Sequence, residues 1–193
     1  MATRTYVTVV SGLPRSGTSM MMRMLAEGGL EPLADHHRAA DPDNPLGYYE
    51  FEPVKRTKQD ASWVPLAVGK VVKAIHLFLP ELPLSHQYRV ILMRRDLREV
   101  VRSQNLMLER RQKPSTGLSV ERLMAIYQTQ LDQVREHLRR HPEQFRLLEV
   151  DYNEVMRDPR PATEAVAKFL DGLDLEKMLA VVEPSLYRQR AGT

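Results

Sequence analysis

Gly12-Leu13-Pro14-Arg15-Ser16-Gly17-Thr18-Ser19 is the stretch on which the fold turns. It follows Tyr6 to Ser11 (YVTVVS), a short apolar, β-rich run that reads as a buried strand. It leads into Thr18 to Glu27 (TSMMMRMLAE), a helical stretch ended by the Gly28-Gly29 pair. A strand that feeds a helix through a glycine-bearing loop aims backbone N–H groups and a helix N-terminus at one point. An anion is favoured there. Gly12 and Gly17 allow positive φ and close backbone approach. Two glycines, an arginine and three hydroxyl residues exceed what a tight turn needs.

Further along, Lys70 to Ile75 (KVVKAI), Tyr88 to Met93 (YRVILM) and Phe145 to Val150 (FRLLEV) read as three more buried strands. Asp96 caps a helix over Leu97 to Arg111, with Glu99 three residues on completing a capping box. A longer helix runs from Ser119 to Arg140, its apolar residues Val120, Leu123, Met124, Tyr127, Leu131, Val134 and Leu138 recurring at three- and four-residue steps. Two short helices follow, Ala162 to Leu170 and Leu175 to Val182. Glu31 to Pro53 is a long polar, proline-rich loop in which Tyr48, Tyr49 and Phe51 argue for order. Strands separated by helices imply right-handed βαβ units and a parallel sheet. With no repeat, low-complexity tract or linker, one domain over residues 1–193 is expected.

Composition narrows the chemistry. The chain holds no cysteine, which excludes disulfides, thiolate metal sites and cysteine nucleophiles. The opening residues MATRTYVTVVSGLP lack a secretory signal, and no run reaches the length of a membrane span, so a cytoplasmic protein without a membrane partner is expected. A formal net charge of +3 suits a local anion pocket better than a nucleic-acid coat. Asp35-His36-His37 with Asp41 and Asp43 has no spacing that gathers ligands, and no metal is expected. The cluster Arg94, Arg95, Arg98 and Arg102 reads, on charge alone, as a solvated helix face.

The spacing of Gly12 to Ser19 matches a Walker A loop except that Thr18 stands at the lysine position. A nucleotide kinase or triphosphatase relies on that lysine at the β- and γ-phosphates, which counts against this alternative. The cation inside the loop is instead Arg15. Pro14-Arg15-Ser16-Gly17-Thr18-Ser19 resembles the loop of sulfotransferases that use 3′-phosphoadenosine 5′-phosphosulfate (PAPS). Arg95 at a strand end, with Ser103 eight residues later in the following helix, is similar to that family's 3′-phosphate motif, with Leu97 where bacterial relatives often have proline. Phe145 to Asp151, Arg157-Asp158-Pro159 and Phe169-Leu170 resemble its late strand and helix, so the likeness spans residues 5 to 171. The lysine-glycine loop of the animal cytosolic members is missing; Arg188 and Arg190 near the end either replace it or, as the preferred reading, form a mobile basic tail.

The resemblance implies an α/β fold of the P-loop NTPase-like kind, a three-layer sandwich around a central, mainly parallel sheet. It implies that Arg15 contacts the bridging or sulfuryl oxygens, that Ser16, Gly17, Thr18 and Ser19 hold the 5′-phosphate, and that Arg95 and Ser103 hold the 3′-phosphate. Lys73 is the second candidate cation, with Lys70 its alternative. The base is Glu50 in Gly47-Tyr48-Tyr49-Glu50, His76 in Lys73-Ala74-Ile75-His76-Leu77, or neither. The implied donor is PAPS, leaving 3′-phosphoadenosine 5′-phosphate (PAP). The expected acceptor is a small-molecule or carbohydrate hydroxyl or amine, on a monomer or homodimer. A non-catalytic nucleotide-binding module on the same fold is the remaining alternative.

Overall fold

Strands β1 (Val7–Gly12), β2 (Val71–Ile75), β3 (Tyr88–Arg94) and β4 (Phe145–Asp151) form one sheet in the order β2-β1-β3-β4. Every pairing is parallel; Val9 lies opposite both Val72 and Val90, and Val90 opposite Leu147. The computed structural model describes residues 4–35, 47–112, 114 and 117–182. All six residues of β1 are buried, as expected of a central strand covered on both faces.

Alternation along the strands divides the core. Val10, Val71, Ile91 and Met93 face helix α1 (Thr18–Glu27) together with α4 (Tyr152–Arg157), α5 (Pro159–Leu170) and α6 (Leu175–Ala180). Val7, Val9, Val72, Ala74, Tyr88 and Val90 face the opposite layer, where α3 (Val120–Arg140) contributes Val134 and Leu138. Leu92 on that second side meets Val100 of α2 (Leu97–Arg110) and Leu131 of α3. The result is a three-layer α/β sandwich. Met21, Met22, Met24 and Leu25 of α1 are fully buried, each contributing about 1.5–3 kcal/mol of transfer free energy. The run of methionines is therefore core packing.

Several elements depart from the sequence reading. Helix α4 was not expected; the Asp151 side chain caps it by accepting from the N–H groups of Asn153 and Glu154. Helix α5 begins at Pro159 rather than Ala162, because Pro159 occupies the first turn, where a missing N–H costs nothing, and Asp158 caps it. Three 3₁₀ turns, Glu52–Arg56, Val64–Ala67 and His76–Glu81, are too short to show a helical period in sequence.

Helices on opposite faces let the chain leave β1 toward β2 and return past it to β3 without crossing itself. The direction of progression thus reverses beside β1. In parallel α/β sheets such a switch point, at the carboxyl ends of the strands, opens a crevice. The loop of residues 12–17 lies there.

Candidate active site

Backbone geometry at the loop is left-handed at three positions: Gly12 (φ 151°), Arg15 (φ 72°) and Gly17 (φ 94°). Gly12 has no room for a side chain, since an added Cβ would lie 2.7 Å from the Met93 carbonyl oxygen. At Gly17 a Cβ would collide with the Tyr152 ring. Ser16 is buried and serves the turn itself, its N–H and Oγ–H both donating to the Leu13 carbonyl, at 3.2 and 2.7 Å.

Gly17 is also the N-cap of α1, with no side-chain cap and no acidic residue in the first turn. By contrast, α2 through α6 begin with Asp96, Ser119, Asp151, Asp158 and Asp174, each accepting from the first N–H groups of its helix. The α1 N-terminus, with its partial positive charge, is therefore the one that the local sequence does not neutralise.

Arg15 reaches across to α2, where its Nε donates to Ser103 Oγ at 3.0 Å. Arg95 donates from Nη1 to the Arg15 carbonyl at 3.0 Å, pairs through Nε with Glu99 at 2.9 Å, and lies over the Tyr152 ring at 4.6 Å. The Arg95 side chain is only 8% exposed and that of Glu99 only 2%, so this arginine is no solvated surface charge. Glu99 does not complete the capping box expected of it. Asn153 Oδ1 accepts the Asp96 N–H at 3.0 Å, and the Glu99 carboxylate pairs with Arg95. Sequence reasoning gave Glu99 only the capping-box role; its position four residues after Arg95, within reach on a helix, was the signal for the ion pair.

Lys73 projects from β2 toward the α1 layer. Its Nζ lies 3.4 Å from Ser19 Oγ, donates to the Tyr48 carbonyl, and sits 5.6 Å from the centre of the Tyr48 ring. This ammonium ties residues 47–50 to the start of α1. Arg111 adds a second tie, Nη2 to the Tyr48 hydroxyl at 3.3 Å. Tyr49 follows with φ 51°, and Glu50 after it is half-buried, 3.6 Å from Lys55 Nζ. Lys55 is held charged chiefly by its hydrogen bond to Glu52, with the Glu50 charge adding to the effect. Lys70, the alternative cation, is paired with Glu31.

His76 takes a different course. It continues the alternation of Val72 and Ala74 toward the α3 layer and is 2% exposed, with Nε2 3.0 Å from Gln130 Oε1. Its Nδ1 is buried with no hydrogen-bond partner among the described residues. The structure brings Arg15, Arg95 and Ser103 together, gathers Lys73 with Ser19 and Tyr48, and sets His76 among the packing of α3. His76→Asn is expected to lower thermal stability by about 1–3 kcal/mol while reducing turnover by less than about tenfold. Parallel melting and rate measurements check this, and a large rate loss with unchanged melting would restore His76 as a base. Asp35 apart, the acidic-histidine run from His36 to Asp43 lies outside the described residues, as do Arg188 and Arg190.

A family model described as the sulfotransferase family matches residues 70–177, more than half of the chain. No curated protein matches the sequence. Among solved structures, the sulfotransferase domain from the curacin biosynthetic pathway is similar over 94% of this chain and 79% of its own, with 14% identity and a TM-score of 0.56. The sulfotransferase domain from the Synechococcus PCC 7002 olefin synthase covers 96% of this chain and 87% of its own, at 15% identity and TM-score 0.54. Retinol dehydratase, in complex with androsterone and inactive cofactor PAP, covers 94% of this chain and 64% of its own, at 17% identity and TM-score 0.52. At such identities the likeness is one of fold, the P-loop NTPase-like sandwich.

Proposed function

The chain belongs to the sulfotransferase family, and from that premise we propose that it moves a sulfuryl group from PAPS to a hydroxyl or amine of a small-molecule or carbohydrate acceptor, releasing PAP. The observation that carries this reading is the convergence of Arg15, Ser103 and Arg95 on the uncapped N-terminus of α1. The residues present fit an anionic nucleotide. Gly12 and Gly17 let the loop pack where a Cβ would strike Met93 or Tyr152, and Arg95 and Ser103 each bond to Arg15 beside the loop, where an adenosine 3′-phosphate could be told from a plain 5′-nucleotide. PAP in the retinol dehydratase complex supports the same ligand class.

In this reading Gly17, Thr18 and Ser19 take the 5′-phosphate at the helix terminus. Arg15 and Lys73 flank the transferring group as fixed positive charges. The acceptor oxygen or nitrogen forms a bond to sulfur as the bridging sulfur–oxygen bond breaks. The electron pair of that bond leaves on the PAP phosphate. Glu50 takes the acceptor proton. Positioning and charge stabilisation supply most of the rate in such displacements.

PAP is expected to raise the melting temperature far more than AMP does. At about 100 times its dissociation constant PAP adds about 2.7 kcal/mol. Equal shifts from the two nucleotides would remove the 3′-phosphate assignment.

A further inference from the structure

We infer that Glu99 is a positioning residue for the anion loop, acting through Arg95; this rests on the nucleotide reading above. Arg95 is held on three sides: the Tyr152 ring at 4.6 Å, the Glu99 carboxylate at 2.9 Å and the Arg15 carbonyl at 3.0 Å. Its bond to the Arg15 carbonyl acts on the one residue of the loop that is both left-handed and not glycine. A non-glycine residue at φ 72° is strained by about 1–3 kcal/mol and persists only where its surroundings impose it.

Glu99 directs the arginine. With Nε committed to a carboxylate, the planar guanidinium has one orientation, and in it Nη1 points at the loop. A guanidinium this buried without a counter-charge would turn toward solvent or toward a bound anion, releasing the loop. Tyr152 also packs on Gly17, so the same cluster touches the loop at both Arg15 and Gly17. Glu99 itself reaches the loop through Arg95, and on this account it contributes to affinity without contacting the nucleotide.

The test uses the full chain and measures dissociation constants for PAP and for inorganic pyrophosphate, with melting temperature recorded alongside. Glu99→Gln is expected to weaken PAP about tenfold, and to add less than about twofold when Arg95 is already glutamine. Glu99→Asp keeps the charge but draws the carboxylate back by one methylene. It is expected to weaken PAP by at least about threefold while the melting temperature holds. A role as counter-charge alone would be met by aspartate and leave affinity unmoved. Unchanged affinity in Glu99→Asp, or an equal loss from Glu99→Gln in both Arg95 backgrounds, overturns the inference. The nucleotide reading fails separately, if the wild-type chain binds pyrophosphate but not PAP; the Glu99 variants are then read on pyrophosphate with the same criteria. Binding of neither probe overturns both.

Discussion

Glu50→Gln is expected to lower the turnover number by about 10²–10⁴-fold with little change in PAP affinity. Glutamine keeps the shape and removes the basicity. The reason to place the base here is the route of the chain. Lys73 bonds the Tyr48 carbonyl and lies 3.4 Å from Ser19 Oγ, which brings Tyr48 near the start of α1. Glu50 follows two residues later, half-buried, with its carbonyl accepting from the Asp35 N–H at 3.0 Å to hold the strand of loop in place. Its carboxylate has Lys55 Nζ at 3.6 Å, a contact that orients it. Single-turnover rates with a fixed acceptor check the expectation. A Glu50→Gln variant that retains more than about a tenth of the wild-type rate would remove the carboxylate from the chemistry.

Arg15→Ala is expected to cost about 10²–10³-fold in turnover, the scale for removing one preorganised donor from a developing charge. The loss exceeds that in PAP affinity, because the leaving phosphate gains its charge only as the bond breaks. Alanine occupies the same left-handed backbone at φ 72°, so the variant changes the charge without relieving the turn. Arg15→Lys is a useful companion. It restores a cation but not the planar fork that reaches Ser103, and is expected to recover the rate only in part. Collapse of PAP affinity with an unchanged turnover number would make Arg15 a binding residue only.

How much of this was open to reading differs from residue to residue. Strand, loop and first helix follow from local properties: a short β-rich run over residues 6–11, glycines where the backbone must be left-handed, and a helical run after them. The remaining strands and longer helices were legible for the same reason, with ends displaced by at most three residues. Helix α4 was not, because it follows β4 with no loop between and its Asp151 cap only acts once β4 stops there. Arg95 and Ser103 were singled out through family likeness; charge pattern alone put Arg95 on the surface.

What the amino-acid order determined by itself was the α/β alternation and the glycine-bearing turn from β1 into α1 with Arg15 inside it, since each depends on neighbours within a few positions along the chain. Tertiary structure decided which side chains meet at that turn. Arg15 and Ser103 are 88 residues apart and meet only because β3 pairs with β1 and delivers α2 to the loop. His76 and Lys73, three residues apart, were divided between opposite layers because β2 pleats at Lys73 and the chain turns at His76 toward α3. Glu99 became the partner of Arg95 because Asn153, from beyond β4, had taken the Asp96 N–H that a capping box needs. A side chain's role in a buried site depends on which long-range partners reach its hydrogen-bonding atoms, and that competition is settled only when the sheet is assembled.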